Sequence, residues 1–358
     1  MTYLIAAAGT GGHVFPGLSV AEALIDLGVR RSQILFVGGS RLESIVYPEE
    51  GFGFLEVELR GLRRSLTLKN LALPSVVLKA RNQIQLAIET NQIQVVLGMG
   101  GYVTVPTGLA ARRAGVPFLN SEQNAEAGLA NRLTARWAER SFGSFPETVG
   151  LPNAEWVGNP VREPFWNFDR TSIRIDALSH FGLEGGIPVL GVFGGSLGAG
   201  SLNNAVTTLA AQGVDRPLQI VHLTGEQHLA SIQKGSPAEG VRWTRVGFEE
   251  SMELFYAASD LVLSRAGGAV AELTATATPS ILVPGEFGSA GHQSGNASYL
   301  TRAGAAVTLP EDELGRLRDV VVGNLFDEEK LEAMRLAAHE ISRPGAARTV
   351  AEAMMGAH

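Results

Sequence analysis

The segment YLIAAAGTGGHVFPG, residues 3–17, is the clearest indication of the fold class in the sequence. Its apolar run at 3–8 predicts a buried strand, and the glycine-rich turn at 9–12 leads into a helix. The same order returns at 188–200, where an apolar run passes into GGSLGAG. Two such starts in one chain predict two α/β domains, each a doubly wound parallel sheet with helices on both faces.

Strands and helices alternate outward from these two turns. Apolar runs predict strands at 3–8, 33–37, 53–57, 94–97, 117–120, 141–142, 188–193, 219–223, 242–246, 261–263, 280–283 and 305–308. Amphipathic stretches predict helices at 17–27, 71–89, 105–114, 128–138, 198–211, 249–257, 269–275, 293–302 and 310–325. The alternation pauses near 157–160. We therefore expect two Rossmann-like doubly wound domains facing a cleft, at 1–160 and 161–342, with a last helix at 343–358 that packs back on the first.

Length and composition narrow the class of protein. With 358 residues the chain exceeds the roughly 250–300 residues at which a single core stops growing. A net charge of −7 argues against nucleic acid as a partner, and the lack of cysteine excludes disulfides and thiol nucleophiles. The start has no basic lead-in, and polar residues and glycines break the long uncharged runs at 90–111 and 185–214. We therefore expect neither a signal peptide nor a membrane-spanning helix.

Three glycine-rich loops follow predicted strands, at 9–13, 98–102 and 194–199. Glycine lets backbone N–H groups and a helix N-terminus face an anion, so the set favours a phosphate-containing ligand over three plain turns. None of the loops reads GxxxxGK[ST], which excludes a P-loop. Val14 and Val103 stand where a dinucleotide motif needs its last glycine, so NAD fits poorly. No Asp-x-Asp pair is present, and a metal-dependent transfer is not expected.

Further segments accompany the loops in a fixed order. They read GTGGHVFPG at 9–17, EQN at 122–124, GLAN at 128–131, VGNPVR at 157–162 and GGSLGA at 194–199. The last ones are SRAGG at 264–268, which is followed by Glu272, then HQ at 292–293 and NA at 296–297. Together they closely resemble the bacterial MurG family of N-acetylglucosaminyltransferases, which convert lipid I to lipid II in peptidoglycan synthesis. The resemblance covers essentially the whole chain.

The resemblance implies a hexosyltransferase of the GT-B type without a cofactor, which holds UDP-GlcNAc mainly with its second domain and the lipid acceptor with its first. GlcNAc would pass, with inversion at C1, to the C4 hydroxyl of MurNAc-(pentapeptide)-pyrophosphoryl-undecaprenol, lipid I. Donor contacts are implied for Thr10, Gly11, Gly12, Asn124, Arg162, Ser196, Glu272 and Gln293. Of these, Glu272 matches the acid on the ribose and Gln293 the amide on the GlcNAc hydroxyls. Acceptor and pyrophosphate contacts are expected at Gly100, Gly101 and Tyr102, although Tyr102 has packing as its alternative.

Two side chains are candidates for the base that takes the proton of the acceptor hydroxyl. His13 carries an imidazole, whose ordinary pKa near 6.5 suits this step. Its alternative is a turn histidine that bonds backbone or the lipid pyrophosphate. Glu122 is the rival base or the residue that orients His13, and its alternative is a structural acid that caps the following helix. Ser196, the stretch around Gly267 and Arg162 are candidates for stabilising the departing UDP.

The chain departs from the family pattern at two places. Ser121 stands where the family has histidine before Glu-Gln-Asn, so any role of that histidine is absent or moved. The segment 265–272 is one residue shorter than usual, which leaves the contacts of 266–271 open. Arg265, at its start, is either a phosphate ligand or the salt-bridge partner of Glu272.

Residues 59–88 form a basic segment. It has no acidic residue, its leucines and valines are interleaved with cations, and the cations are Arg60, Arg63, Arg64, Lys69, Lys79 and Arg81. Each basic residue near an anionic leaflet contributes on the order of 1 kcal/mol. We therefore expect peripheral docking at the cytoplasmic face of the inner membrane. The alternative is a solvated loop followed by a helix that packs on the core.

Other functions stay open on the sequence alone. A related transferase with another lipid acceptor, such as diacylglycerol, would share the donor half. A non-catalytic nucleotide-sugar-binding partner would account for the missing histidine at Ser121. An NAD-dependent oxidoreductase fits least, because the dinucleotide motif is incomplete.

Overall fold

The computed structural model describes residues 1–59, 73–285 and 290–357, which divide into two compact units. The first contains the described residues of Met1–Glu163 and Arg343–His358, and the second contains those of Pro164–Ser342. The first unit therefore extends slightly beyond the boundary at 160 that the sequence suggests. Arg162 accordingly belongs to the first unit.

Strands and helices alternate along most of the described chain. The strands are β1 Tyr3–Ala6, β2 Ile34–Gly38, β3 Gly53–Glu56, β4 Val95–Gly98, β5 Phe118–Glu122, β6 Arg140–Gly143, β7 Glu155–Trp156, β8 Val189–Phe193, β9 Leu218–Leu223, β10 Val241–Val246, β11 Leu261–Ser264, β12 Ser280–Leu282 and β13 Ala306–Thr308. The α-helices are α1 Gly11–Asp26, α2 Glu43–Glu49, α3 Leu73–Thr90, α4 Thr104–Ala114, α5 Leu129–Thr134, α6 Arg170–His180, α7 Gly200–Gln212, α8 Glu226–Ile232, α9 Met252–Ala258, α10 Ala269–Ala275, α11 Ala290–Arg302, α12 Leu317–Leu325, α13 Glu328–Ile341 and α14 Ala346–Gly356. Short 3-10 helices lie at Arg31–Gln33, Glu163–Phe165 and Glu311–Arg316.

Each unit is built on a parallel sheet. In the described part, the first unit has the strand order β3-β2-β1-β4-β5-β6-β7 and the second has β10-β9-β8-β11-β12-β13. The order reverses between β1 and β4 and again between β8 and β11, and loops at the carboxyl ends of such strand pairs line the ligand crevice of open α/β sheets. The predicted class of two doubly wound parallel-sheet domains is confirmed.

The first strands of the two units, β1 and β8, are apolar along their whole length, as expected where helices cover both faces of a parallel sheet. All four residues of β1 and all five of β8 are buried. Buried side chains of α7 and α12 pack on one face of the second sheet, in a cluster that includes Val206, Val321 and Trp243. No helix of the described residues is long and apolar enough to cross a bilayer.

Helix α1 starts earlier than the sequence predicts. It begins at Gly11 and not near 17, since the N–H groups of His13 and Val14 both donate to the Thr10 carbonyl, at 3.0 and 3.1 Å. Pro16 therefore lies inside the helix and not at its start. The glycine-rich loop at 9–13 is thus mostly the first turn of α1, in which the N–H groups of Gly11 and Gly12 precede the first hydrogen bonds of the helix.

Helix α14 packs against α1 within the first unit. Its buried face is made of small and apolar residues such as Ala347, Val350 and Met354. Arg343 lies just before α14, and its guanidinium is 3.9 Å from the centre of the Trp156 ring. The φ of Gly158 is +91°, and a Cβ there would approach the Cβ of Arg343 to 2.4 Å, so glycine is required at this point.

Candidate active site

The first unit brings two glycine-rich loops together at the carboxyl ends of β1 and β4. Gly9, Gly100 and Gly101 have φ values of +107°, +88° and +75°, a region that favours glycine. A Cβ on Gly101 would lie 2.6 Å from the Ala8 carbonyl oxygen, so the second loop touches the first directly. The two loops therefore form one surface at the reversal point of the sheet.

His13 lies at the contact between these loops. Its Nδ1 is 3.2 Å from the Thr10 hydroxyl oxygen, and a Cβ on Gly100 would lie 3.0 Å from its Cδ2. His13 sits on the first turn of α1, where the backbone N–H groups point out of the helix. A neutral imidazole in such a place can take a proton from a bound hydroxyl while the adjacent amides hold an anion.

Glu122 is buried at the end of β5 and is engaged by its own loop. One oxygen accepts from the backbone and side-chain N–H of Asn124, both at 3.0 Å. The other accepts from the N–H of Gly128 at 2.9 Å and from the side chain of Asn131 at 2.8 Å. Four donors on a buried carboxylate fit the structural alternative, in which Glu122 shapes the loop that leads into α5. This geometry speaks against Glu122 as the base.

The side chain of Asn131 connects this loop to β5. It donates to the Ser121 carbonyl at 2.9 Å as well as to Glu122, and a Cβ on Gly100 would lie 3.3 Å from its nitrogen. The Ser121 side chain, at the position of the family's histidine, is buried. His13 is thus the imidazole that the described part of the first unit presents at this site.

Tyr102 packs within the first unit. A Cβ on Gly9 would lie 3.5 Å from its ring, and its hydroxyl donates to Glu43 at 2.9 Å. Burial and this hydrogen bond to a carboxylate raise the pKa of Tyr102. Its hydroxyl proton is therefore committed to Glu43, which supports the packing alternative over direct contact with an acceptor.

Arg162 lies beside the start of α1, with its guanidinium 5.8 Å from the centre of the Phe15 ring. The neighbouring Glu163 N–H donates to Glu22 at 3.3 Å. Burial raises the pKa of Glu22, against the opposing effects of this hydrogen bond and of the Arg162 charge. The first unit thus places a cation close to the helix that carries His13.

In the second unit, the glycine-rich loop after β8 is held by close backbone contacts. Gly198 has a φ of +73°, and a Cβ there would lie 2.1 Å from the Thr224 carbonyl oxygen. Gly225 faces it, since a Cβ on Gly225 would lie 2.5 Å from the Leu197 carbonyl oxygen. Ser196, at the tip of the loop, is exposed. A rigid loop that presents a hydroxyl ahead of the N-terminus of α7 is suited to a phosphate.

Arg265 pairs with an acid that the sequence does not suggest. Its guanidinium contacts the carboxylate of Glu311 and donates to the Ser201 hydroxyl at 2.9 Å. It also donates to the carbonyls of Val283 and Pro284, both at 3.3 Å. The expected alternative of a salt bridge to Glu272 is therefore wrong, because Arg265 turns toward β12 and the 3-10 helix at Glu311–Arg316.

The remaining predicted donor residues lie on α10 and α11. Glu272 accepts from the hydroxyl of the buried Tyr256 at 2.7 Å. Gln293 accepts from the Gly285 N–H at 2.8 Å, which ties the start of α11 to the end of β12. Asn296 donates to the Ala266 carbonyl at 3.0 Å and so supports the short segment after β11. The second unit therefore gathers loop 194–199, Glu272 and Gln293 on elements that follow its central strands.

Sequence reasoning missed the buried or paired side chains that contact candidate site residues within each unit, namely Glu43 in the first unit and Tyr256 and Glu311 in the second. Each is bonded to a partner far away in sequence, so no spacing pattern could have revealed it. Among the described residues there is no group of three or more histidine and acidic side chains placed to hold a metal ion.

Two family models match the chain. The glycosyltransferase family 28 N-terminal domain matches residues 3–142, and the glycosyltransferase family 28 C-terminal domain matches residues 189–354. Between them the matches include both glycine-rich sheet reversals.

Curated relatives match over nearly the full length. The chain is 39% identical over 354 residues to a UDP-N-acetylglucosamine–N-acetylmuramyl-(pentapeptide) pyrophosphoryl-undecaprenol N-acetylglucosamine transferase of Dechloromonas aromatica, covering 98% of this chain and 97% of the relative. A protein of the same name from Mycolicibacterium paratuberculosis is 38% identical over 366 residues, covering 99% of this chain and 88% of the relative.

Solved structures agree with these matches. The chain is similar to MurG of Acinetobacter baumannii, with a TM-score of 0.79, 26% identity and 99% of each chain covered. A UDP-GlcNAc 2-epimerase from Neisseria meningitidis has a TM-score of 0.67 at 14% identity, with 99% of this chain and 100% of that one covered. The second likeness shows a shared fold alone.

Proposed function

The chain belongs to glycosyltransferase family 28, among its MurG members, and from that premise we propose that it transfers GlcNAc from UDP-GlcNAc to lipid I and so forms lipid II. It is a hexosyltransferase. The observation that carries the choice of reaction is the match over 98% of the chain to relatives named for it. The glycine-rich loops within each unit are consistent with binding of the acceptor by the first unit and of UDP-GlcNAc by the second.

Under this proposal, the second unit binds UDP-GlcNAc. The diphosphate lies against the loop that contains Ser196, where the N-terminus of α7 and the glycine amides supply partial positive charge. Glu272 accepts from the ribose hydroxyls and keeps its orientation through Tyr256. Gln293 meets the GlcNAc hydroxyls. From the first unit, the resemblance adds Thr10, Gly11, Gly12, Asn124 and Arg162 as donor contacts.

The first unit binds the acceptor, with its pyrophosphate facing the amides of Gly100 and Gly101. His13 takes the proton of the C4 hydroxyl, and that oxygen attacks C1 on the face opposite to UDP. The bond between C1 and the diphosphate oxygen breaks, and UDP leaves with the electron pair. The same amides and helix N-termini that hold the diphosphate stabilise the charge that develops on it.

The site is supported by rigid elements, which is what this reaction requires. Inverting transfer needs the hydroxyl, the base and C1 aligned within a few tenths of an ångström, and misplacement by about 1 Å costs on the order of a hundredfold in rate. His13 lies in the first turn of α1, where its ring contacts Gly100, and Glu122 accepts from the N–H of Gly128 in the loop that leads into α5. Glu122 acts in this account by shaping its loop and not by moving a proton.

We further propose that the protein docks on the cytoplasmic face of the inner membrane through the basic segment. Residues 60–72 lie outside the described residues, so this part rests on sequence. Within α3, Leu78 and Leu86 are 47% and 64% exposed beside the cations Lys79 and Arg81. An exposed apolar and basic helix surface suits an anionic leaflet, where an undecaprenyl acceptor would be embedded.

Release of UDP tests the proposed reaction. The protein is incubated with UDP-GlcNAc and EDTA in detergent, with and without lipid I. We expect UDP release that depends on lipid I. Release that is the same without acceptor, or none at all although UDP-GlcNAc binds, would contradict the proposal.

A further inference from the structure

Glu43 is a fully buried acid beneath the glycine loops of the first unit. One carboxylate oxygen accepts from the Gly9 N–H at 3.2 Å. The other accepts from the Gly39 N–H at 3.0 Å and from the Tyr102 hydroxyl at 2.9 Å. The three donors come from the ends of β1, β2 and β4, so a single side chain joins three loops at the reversal point of the sheet.

The surrounding glycines make room for this carboxylate. A Cβ on Gly38 would lie 2.7 Å from the Glu43 Cγ, and a Cβ on Gly39 would lie 2.2 Å from the Tyr102 hydroxyl oxygen. Any side chain at 38 or 39 would therefore displace Glu43 or Tyr102. The contact with Glu43 and Tyr102 therefore explains the glycine pair Gly38 and Gly39 at the end of β2.

The contact extends to His13 through both loops. Gly9 directly precedes the Thr10 cap of α1, and the Thr10 hydroxyl lies 3.2 Å from the His13 ring. In the second loop, Tyr102 lies two residues after Gly100, where a Cβ would approach the His13 ring to 3.0 Å. Glu43 thus fixes the two loop segments between which the imidazole is held.

Both oxygens of Glu43 act as hydrogen-bond acceptors, and together they accept from three donors. A glutamine of the same shape would turn an NH₂ group toward at least one N–H or O–H donor. A buried donor without an acceptor costs free energy, so the segment that carries it is expected to shift. The expected consequence is a shift of a glycine loop, with the sheet beneath left intact.

We propose that Glu43 is a positioning residue for proton transfer, which sets the place of His13 by holding the loops after β1 and β4 together. This inference rests on the proposed function, in which His13 is the base. Glu43 itself touches neither substrate nor the reacting atoms in this account. We expect its effect on the rate of transfer, whereas UDP, which the second unit binds under the proposed function, should bind with unchanged affinity.

The test compares Glu43→Gln with the wild type in the lipid I assay, at a temperature where both are folded by circular dichroism. We expect kcat to fall by about tenfold to a hundredfold, with the affinity for UDP unchanged. Glu49→Gln, the same change at an exposed position of α2, is the control and should leave kcat unchanged. Tyr102→Phe removes one of the three hydrogen bonds and should give a smaller loss of the same kind, even where Glu43→Gln does not fold.

A double-mutant cycle separates positioning from a general structural effect. If Glu43 acts through His13, Glu43→Gln has little further effect in a His13→Ala background, because residues that act as a unit are not additive. An equal fold-loss in both backgrounds would overturn the inference, as would a kcat within twofold of wild type. Absence of transfer by the wild type would instead contradict the proposed function.

Discussion

At the level of single residues, the structure distinguishes His13 from Glu122, the two side chains that the sequence offers as the general base. The imidazole contacts the second glycine loop, whereas the carboxylate is buried and accepts from four N–H groups of the loop that follows it and of α5. The two side chains should therefore differ in the effect of their substitution. Substitution of His13 should lower the rate of transfer, and substitution of Glu122 should destabilise the loop around it.

We expect His13→Ala to lower kcat by roughly 10²–10⁴, the range of general-base catalysis, with little change in melting temperature. Glu122→Gln should instead lower the free energy of unfolding by about 1–3 kcal/mol, because an NH₂ group then faces buried donors. Steady-state kinetics and thermal unfolding of both variants measure these effects. A Glu122→Gln protein that is fully stable but has lost the acidic limb of its pH–rate profile would restore Glu122 as the base.

His222 in the second unit gives a prediction for stability against pH. It is buried, its Nε2 bonds to the Asn203 side chain at 2.9 Å, and its Nδ1 has no partner among the described residues. Burial, with a smaller effect of Arg245, lowers the pKa of His222 to about 3. The unfolded chain, with an ordinary pKa near 6.5, takes up this proton first as the pH falls.

Stability is therefore fully present above pH 6.5 and is lost as the pH falls toward 3. Between pH 6.5 and 5 the loss from this one group is about 2 kcal/mol. Urea unfolding of His222→Gln at both pH values should show a pH dependence that is smaller by this amount. His339→Gln, an exposed position on α13, is the control. Equal pH dependence of wild type and His222→Gln would contradict the prediction.

At the scale of elements, the loop between β8 and α7 depends on a close backbone approach. Gly198→Ala puts a methyl group 2.1 Å from the Thr224 carbonyl oxygen at a φ of +73°. We expect UDP to bind at least tenfold more weakly and the second unit to lose about 1–3 kcal/mol of stability. Titration calorimetry with UDP and thermal unfolding measure both.

Gly200→Ala provides the matched control on the same segment. Gly200 begins α7, and a Cβ there meets no atom within 4 Å. We expect unchanged UDP affinity and a stability equal to or up to about 1 kcal/mol above the wild type. Similar UDP affinity in the two alanine variants would mean that the loop does not hold the diphosphate.

The sequence predicted strands better than helix starts and supporting side chains. Every described strand except β7 was expected, since buried parallel strands are short runs of apolar residues between glycine-rich turns. The start of α1 was predicted too late because proline is most common in the first turn of a helix, and Pro16 indicates that turn. In the structure, the first helical hydrogen bonds are accepted earlier, by the Thr10 carbonyl. Helices α2, α6, α8 and α13 were missed, and of these α2 has seven residues, contains Pro48 and buries an acid.

The same limit applies to the site. Glycine loops and single polar motifs could be found from order and spacing alone. The partners Glu43 and Glu311 could not, since they are separated by 34 and 46 residues from Gly9 and Arg265. Such pairs are set by where the sheet brings strand ends together, which a local pattern does not encode.

At the scale of the whole molecule, membrane docking gives a prediction about charge. We expect Lys79→Glu with Arg81→Glu to weaken binding to vesicles that contain phosphatidylglycerol by at least thirtyfold, taking about 1 kcal/mol for each charge. Binding to phosphatidylcholine vesicles should stay weak in all variants. Vesicle sedimentation measures both.

Lys234→Glu with Arg302→Glu is the control, because it makes the same change in net charge at exposed positions of the second unit. It should leave vesicle binding close to wild type. If both double variants lose the same affinity, only the total charge matters, and the basic segment is not the docking surface.

Transfer of a sugar from UDP-GlcNAc to a lipid-linked muramoyl acceptor is the reaction that we propose for this chain. Mass spectrometry of lipid I after incubation with the protein and UDP-GlcNAc tests it most directly. We predict that the acceptor gains the mass of one N-acetylhexosamine residue, and that the His13→Ala protein adds it far more slowly. An acceptor of unchanged mass, with folded protein and bound UDP-GlcNAc, would contradict the account.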